Sequence, residues 1–164
     1  MVEPGASSLS MTVLMTPDKA NFSGNVHGGT LLKYLDEVAY ACASRYAGSY
    51  CVTLSVDQVM FRQPIYVGEL VTFLANVNYT GRSSMEIGIK VITENIQEKH
   101  VRHTNSCFFT MVAMKDGRPA EVPPLNPTTN EEKRRFMQAQ ERRALRAELD
   151  QRYHAIKLEK KDTE

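Results

Sequence analysis

The chain has 164 residues, 42% of them hydrophobic and 24% charged, which is typical of one globular domain with room for a short appendage. The 20 Lys and Arg residues nearly balance the 19 Asp and Glu residues, so bulk charge gives no support to a nucleic-acid-binding role. Apolar runs stay below the roughly 18 residues of a membrane helix, and Met1 to Ser10 does not have the pattern of a secretory signal. We therefore expect neither membrane insertion nor secretion.

In chain order, the first predicted elements are a short strand at Met11 to Met15, a polar loop, and a helix from Gly28 to Tyr46. The apolar residues of this helix recur at steps of three and four and form two adjacent stripes. The first stripe comprises Leu31, Leu35, Val38 and Cys42, and the second comprises Leu32, Ala39, Tyr40 and Ala43. A helix that is apolar nearly all round is expected to be buried, and Gly48 is a suitable residue to end it.

Strand-like stretches follow at Cys51 to Phe61, Leu70 to Tyr79, Ser84 to Glu94 and Arg102 to Met114. Apolar and polar residues alternate in them, as in strands that have one buried face. A buried helix followed by an antiparallel meander predicts an α+β fold in which the sheet wraps a central helix.

A change in composition sets the C-terminal tail apart. The segment from Arg118 to Pro127 contains four prolines and predicts an extended linker rather than a helix or a central strand. The tail beyond it is rich in helix formers, with Thr129 or Asn130 as the N-cap. We therefore predict a core domain at residues 9–125 and a charged helical extension at residues 126–164, which packs either on its own domain or on a neighbouring subunit.

Asp36 is the first candidate for chemistry, because it lies on the apolar helix. At 100° per residue, Gly29, Leu32, Tyr40 and Ala43 fall on the same side of the helix. A carboxylate that loses water contacts there is a stronger proton acceptor, as a general base requires. The alternative is an aspartate at the edge of the buried face that reaches solvent.

The start of this helix is the second candidate. His27 is followed by Gly28 and Gly29, and the free amides of a first helical turn can hold a developing oxyanion. Asp36 lies about 12 Å further along the axis from Gly28, at about 1.5 Å per residue. This separation indicates a site built between two subunits, whereas the alternative for the two glycines is a simple tight turn.

A third candidate is the turn between two predicted strands, formed by Gly81, Arg82, Ser83 and Ser84. Its guanidinium, hydroxyls and amides can bind a phosphate, although an ordinary hairpin turn is by itself the better explanation of these residues. Arg62 and Lys90 are further candidates for phosphate contact. The phosphate-loop patterns GxxxxGK[ST] and GxGxxG do not occur, nor does the GxSxG pattern of serine esterases.

The cysteines and histidines give no metal or disulfide signal. Cys42, Cys51 and Cys107 are odd in number and form no CxxC pair, so we expect reduced, mostly buried thiols in a cytoplasmic protein. His100 and His103 would point to opposite faces of one strand, and no metal site is predicted.

The residues NFSGNVHGGTLLKYLDEVA, from Asn21 to Ala39, resemble the signature of hotdog-fold acyl-CoA thioesterases. Three further segments resemble the same family: Val52 to Asp57, Phe61 with Pro64 and Gly68, and Gly81 to Met85. The similarity is to the acyl-CoA hydrolase group that includes bacterial enzymes and the tandem-domain brain-type hydrolases of animals. It implies a long helix wrapped by a curved antiparallel sheet, and subunits that pair edge to edge, commonly as a trimer of dimers.

The same resemblance implies hydrolysis of acyl-CoA to a carboxylic acid and CoA, without a metal or an organic cofactor. Asp36 matches the catalytic carboxylate, which activates water or attacks the thioester directly. Asn21 matches an asparagine supplied by the opposite subunit, which orients the water or the carbonyl. Amides at His27, Gly28 and Gly29 would polarise the thioester oxygen.

The remaining matches concern the cleft and the nucleotide end of CoA. Thr53 or Ser55 would line the cleft, and the turn from Gly81 to Ser84 would contact CoA. Two other functions stay open. A hotdog hydratase would use a catalytic histidine such as His27, and a non-catalytic acyl-CoA sensor would use the same fold. Neither implies a nucleic-acid partner, because the basic residues of the tail alternate with acidic ones.

Overall fold

The computed structural model describes residues 5–61 and 63–161, without the side chains of residues 157–161. By its internal contacts the chain forms two compact units, Met1–Leu125 and Asn126–Glu164. Within the described residues, no helix is both long and apolar enough to cross a membrane.

The first unit contains a long helix and an antiparallel sheet. Its elements are β1 (Ser8–Leu14), α1 (Gly28–Ala47), β2 (Tyr50–Val56), β3 (Leu70–Thr80), β4 (Ser84–Asn95), β5 (His100–Lys115) and β6 (Arg118–Pro119), with a short 3₁₀ helix at Pro17–Lys19 before α1. The strands follow the order β1-β3-β4-β5-β2, and β6 pairs with the end of β5. Helix α1 packs on β1 to β5. The predicted α+β arrangement is therefore confirmed.

Helix α1 begins and ends where the sequence predicts it to. His27 is the N-cap, and the backbone amide of Gly29 donates a hydrogen bond to its Nδ1 atom at 2.9 Å. Gly48 ends the helix with a left-handed backbone at φ 66°, a conformation that favours glycine. The whole first stripe is buried, but in the second stripe Leu32 is 40% and Tyr40 is 42% exposed. The prediction that α1 is buried nearly all round is therefore wrong for a single chain, because the side of the helix that carries Leu32 and Tyr40 is left exposed.

The core lies between α1 and the inward face of the sheet. Phe73 on β3 is in register with Val91 on β4, and Val91 is in register with Asn105 on β5. All three side chains are buried. Asn105 therefore continues an otherwise apolar inward row.

Strand β2 is shorter than predicted. It ends at Val56 rather than Phe61, and its pairing with β5 shifts register between Thr53 and Ser55. Leu54, at the shift, is 67% exposed. The reason is that β2 lies at the edge of the sheet, where a bulge bends the strand and interrupts its alternation.

A buried ion pair fixes the loop between β2 and β3. Glu69 is 4% exposed, and both of its carboxylate oxygens accept hydrogen bonds from Nη2 of Arg102, at 2.8 and 2.7 Å. Its Oε2 also accepts one from the amide of Tyr66 at 2.9 Å. Tyr66 forms an isolated β-bridge with Asn25, so this pair holds the loop against the segment that precedes α1.

The second unit contains α2 (Asn130–Lys161). Thr129 caps this helix, since its Oγ1 accepts from the amide of Glu132 at 3.2 Å while Oε2 of Glu132 accepts from the amide of Thr129 at 2.9 Å. This reciprocal pair is a capping box. The hydrogen bonds from the amides of Thr129 and Thr128 lower the pKa of Glu132 to about 2. The apolar stripe of α2 is exposed and comprises Leu145, Leu149, Tyr153 and Ile156.

Candidate active site

Asp36 projects from the exposed side of α1. Its Oδ1 atom accepts a hydrogen bond of 2.6 Å from the hydroxyl of Thr53 on β2. The expected loss of water contacts is not found in a single chain, because Leu32 and Tyr40, which flank Asp36 on the helix, are themselves exposed. The hydroxyl of Thr53 therefore fixes one carboxylate oxygen of this exposed residue.

The surface around Asp36 is apolar. The Tyr40 ring contacts the Tyr50 ring of β2, with 6.0 Å between centroids, and Leu54 and Val56 of β2 are exposed beside them. We call these residues, together with Leu32, the α1–β2 patch. Exposed apolar side chains are typical of interaction sites where they form one continuous surface.

Asn21 lies in the loop before α1, and its side-chain orientation is fixed. Its Oδ1 accepts hydrogen bonds from the backbone amides of Ser23 and Asn25, at 2.9 and 3.1 Å. The oxygen is therefore turned into its own loop. Its Nδ2 is thus the end of the carboxamide that can donate to a ligand.

The amides at the start of α1 are not equivalent. The amide of His27 donates to the carbonyl of Lys19 at 2.8 Å, and that of Gly29 donates to the His27 ring. The amide of Gly28 has no acceptor among the described residues. Of the three predicted oxyanion donors, Gly28 is therefore the one that remains open, while His27 acts as a helix cap.

A cavity of about 370 Å³ brings Asn21 and Gly28 together. Its lining comprises Asn21, Asn25, Val26, Gly28, Leu31, Phe61, Gln63, Pro64 and Ile65. A Cβ atom on Gly28 would lie 3.5 Å from the Phe61 ring, an ordinary packing distance, so the ring lies next to the start of α1. Asp36 and Thr53 do not line this cavity. The predicted site residues thus form two groups, one at the start of α1 and one about two turns along it.

The turn from Gly81 to Ser84 lies at the Thr53 end of the sheet. Met85, directly after the turn, is in register with Met111 on β5, and Met111 is in register with Thr53. The carbonyls of Arg82 and Ser83 accept hydrogen bonds from the amides of Val122 and Ala113, which fixes the backbone of the turn. The side chain of Arg82 is left exposed.

The other predicted residues belong to neither of these two groups. Ser55 is half-buried beyond the bulge of β2, and Lys90 is exposed on β4. Arg62 lies outside the described residues. Within residues 5–61 and 63–161, no group of three His, Cys, Asp or Glu side chains is placed to hold a metal ion.

The cysteines are free and buried, as expected. Burial raises the pKa of the thiols of Cys42 and Cys107 to about 12 and also raises that of Cys51. They are therefore protonated and shielded rather than reactive.

The sequence analysis missed Asn105 and the Glu69–Arg102 pair. A signal for Asn105 was present, because Cys107, Phe109 and Met111 alternate with outward residues along β5, and this alternation places Asn105 on the same inward face. Nothing local in the sequence pairs Glu69, in the loop before β3, with Arg102 on β5.

Comparison with known proteins identifies the family. The model of the thioesterase superfamily matches residues 23–99. Protein VdlD of Helicobacter pylori is 49% identical over 140 residues, which are 85% of this chain and 80% of that protein. A solved hexameric acyl-CoA thioesterase is 36% identical with a TM-score of 0.84, over 88% of this chain and 93% of its own.

An acyl-CoA hydrolase from Staphylococcus aureus, solved with butyryl-CoA and CoA, is 30% identical with a TM-score of 0.78, over 92% of this chain and 94% of its own. Solved variants of that enzyme replace an asparagine, an aspartate and a threonine with alanine. The aspartate follows the asparagine by fifteen positions and the threonine follows the aspartate by seventeen. Asn21, Asp36 and Thr53 have the same spacing.

The family model, the identity to these relatives and the fold lead to the same conclusion. The chain belongs to the hotdog-fold thioesterase superfamily.

Proposed function

We propose that this chain hydrolyses the thioester bond of acyl-CoA, releasing a carboxylic acid and CoA, at a site shared by two copies of the chain. The observation that carries the proposal is the set Asn21, Asp36 and Thr53. Its spacing equals that of the residues replaced in the S. aureus hydrolase, and in this chain a hydrogen bond joins Thr53 to Asp36.

Asp36 is the base or the nucleophile of the proposed reaction. As a base, its carboxylate takes a proton from water while the water oxygen bonds to the thioester carbon. The C–S bond then breaks, and the sulfur of CoA leaves as a thiolate that takes up a proton. As a nucleophile, the carboxylate forms an anhydride that water cleaves. Thr53 orients the carboxylate in either case, and the reaction uses neither a metal ion nor an organic cofactor.

Asn21 and Gly28 stabilise the oxyanion in this proposal. Both present a donor to the same cavity, the amide of Gly28 and Nδ2 of Asn21. A donor placed on a developing oxyanion contributes a factor on the order of 10² to 10³ in rate. In this proposal the exposed Arg82, in the turn at the Thr53 end of the sheet, binds the phosphates of CoA.

The α1–β2 patch supports a shared site. Its apolar side chains and the edge strand β2 would be covered if a second copy paired with this surface. Such a pair would bring Asp36 of one copy towards the Asn21 and Gly28 group of the other. We propose this pair as the catalytic unit and a trimer of such pairs as the assembly, in keeping with the hexameric neighbour.

The spacing of Asn21, Asp36 and Thr53 favours hydrolysis over hydration, because it equals that of the residues replaced in a solved acyl-CoA hydrolase. Nδ1 of His27 accepts the amide of Gly29 and caps α1. We therefore assign His27 to the helix cap and do not propose a hydratase.

The proposal is tested by thiol release from a panel of acyl-CoAs. We expect Asp36→Ala and Asn21→Ala each to lower kcat by about 10²-fold or more, while Glu37→Ala, which changes the adjacent exposed carboxylate, stays near wild type. No thiol release by the wild-type protein from any acyl-CoA would refute hydrolysis.

Mixing the two inactive variants tests the shared site. If Asp36 and Asn21 act from different copies, a dimer with one subunit of each variant has one intact site and one dead site. Unfolding and refolding equal amounts together should then restore about a quarter of the wild-type rate, because about half of the dimers are mixed. No recovery would place both residues in one copy.

A further inference from the structure

A small cavity lies between α1 and the inward face of the sheet, directly inside the cavity that Asn21 and Gly28 line. Its lining comprises Leu31, Leu35, Phe61, Gln63, Ile65, Phe73, Val91, Thr104 and Asn105. Its volume is about 10 Å³, roughly the room of one water molecule. Leu31, Phe61, Gln63 and Ile65 line both cavities, so the two are neighbours.

Asn105 is the unusual member of this lining. It is 8% exposed, and its Nδ2 is buried without a hydrogen-bond partner among the described residues. A buried donor left without an acceptor lowers stability, and native proteins rarely retain one. An acceptor that arrives with a ligand explains why the donor is present.

The other polar side chains of the cavity differ from Asn105 in burial or in bonding. The hydroxyl of Thr104 donates to the carbonyl of Val91 at 3.3 Å. Gln63 is exposed, and its Oε1 accepts from Nη1 of Arg102 at 3.3 Å. Within this lining, Asn105 is therefore the buried side chain whose donor has no acceptor among the described residues.

Phe61 connects the two cavities. Its ring lies against Gly28, beside the amide that the proposed function assigns to the thioester oxygen, and it also lines the inner cavity. An acyl chain whose carbonyl is held at Gly28 would pass Phe61 and reach Asn105 after a few atoms. The inner cavity has room for a small group there but not for a long alkyl chain.

We propose that the acyl pocket selects short acyl groups that carry a keto or hydroxyl oxygen beyond the thioester, and that Nδ2 of Asn105 donates a hydrogen bond to that oxygen. This inference rests on the proposed thioester hydrolysis and names the substrate class of the same site. Sites built to bind a polar group discriminate strongly against analogues that lack it, because their own buried group is then left unpaired.

The test compares kcat/KM for butyryl-CoA, acetoacetyl-CoA and β-hydroxybutyryl-CoA, which share one chain length. We expect the wild-type protein to prefer an oxygenated substrate over butyryl-CoA by about tenfold or more. Asn105→Leu, which keeps the branched shape and the number of side-chain heavy atoms but removes the donor, should abolish that preference by lowering kcat/KM for the oxygenated substrates. Its Tm without ligand should equal or exceed that of the wild type, since the unpaired donor is gone.

Ser106→Ala is the matched control. Ser106 is the exposed neighbour of Asn105 and does not line the inner cavity, so this variant should keep the wild-type ratio. Hydrolysis of all three thioesters without preference, or an unchanged ratio in Asn105→Leu, would overturn the inference and leave the proposed function intact.

Absence of hydrolysis would refute the proposed function instead. The affinities of the same thioesters for Asp36→Ala and for Asp36→Ala/Asn105→Leu then decide the inference without turnover. If Asp36→Ala binds acetoacetyl-CoA more tightly than butyryl-CoA and the double variant does not, the role of Asn105 is supported. Equal affinities of Asp36→Ala for the two thioesters refute it.

Discussion

Removal of Glu69 tests how the loop between β2 and β3 is held beside the site. In Glu69→Ala, the guanidinium of Arg102 loses both hydrogen bonds to the carboxylate, and the amide of Tyr66 loses its acceptor. The side chains of the pair are 5% and 17% exposed, so water replaces these bonds only in part. The loop that carries Phe61 and Gln63 loses its anchor to β5.

Breaking a buried pair by removing one partner costs about 3–5 kcal/mol. Arg102 retains its hydrogen bond to Gln63 and its stacking over the Tyr66 ring, 5.6 Å from the centroid. The loss in free energy of unfolding should therefore lie at the lower end of this range, about 3 kcal/mol. For a chain of this size, 1 kcal/mol corresponds to about 2–4 °C in Tm. We therefore expect Glu69→Ala to lower Tm by about 6–12 °C.

The assay is thermal unfolding followed by circular dichroism at one protein concentration. The control is Glu37→Ala, which removes the partner of Lys33 from an exposed pair and should cost at most about 0.5 kcal/mol. Glu69→Leu/Arg102→Met should recover most of the loss, because apolar residues can replace a buried pair without leaving a charge unpaired. A Tm of Glu69→Ala within 2 °C of the Glu37→Ala value would refute the reasoning, as about 0.5 kcal/mol corresponds to that shift.

Further predictions concern the thiols and the start of α2. Because burial raises the pKa of Cys42 and Cys107 to about 12, native protein at pH 8 should not react with Ellman's reagent, and three thiols should appear on denaturation; fast native labelling would contradict this. The pKa of Glu132 is lowered to about 2 from 4.5, so its cap should weaken as pH falls from about 4.5 towards 2. Amide exchange at the start of α2 should then rise, and Glu132→Ala, but not Glu131→Ala, should already exchange fast at neutral pH.

The start and end of α1 could be predicted because they depend on local chemistry. The step of three and four in the first stripe sets the buried face, and Gly48 supplies the left-handed residue that ends the helix. The exposure of Leu32 and Tyr40 could not be predicted in the same way. An apolar stripe looks the same in a sequence whether it is covered by its own sheet or left for another chain.

The remaining differences depend on contacts that no periodic pattern in the sequence shows. The end of β2 depends on its position at the edge of the sheet, which no residue of the strand specifies. The choice among the amides of the first turn depends on the ring of His27, whose Nδ1 engages Gly29. Asn105 becomes informative only when the register places it beside Val91 and its Nδ2 is found unpaired.

The strand order also has a consequence for folding during synthesis. β2 is made immediately after α1, yet its sole partner in the described sheet is β5, and Val52 pairs with Val112. Strands β3, β4 and β5 are consecutive in both sequence and space, so this meander can form from short-range contacts. Until it does, the nascent chain carries an apolar helix without a sheet to cover it, which is the stage most prone to aggregation. Early folding of β3 to β5 therefore determines how long that helix stays unprotected.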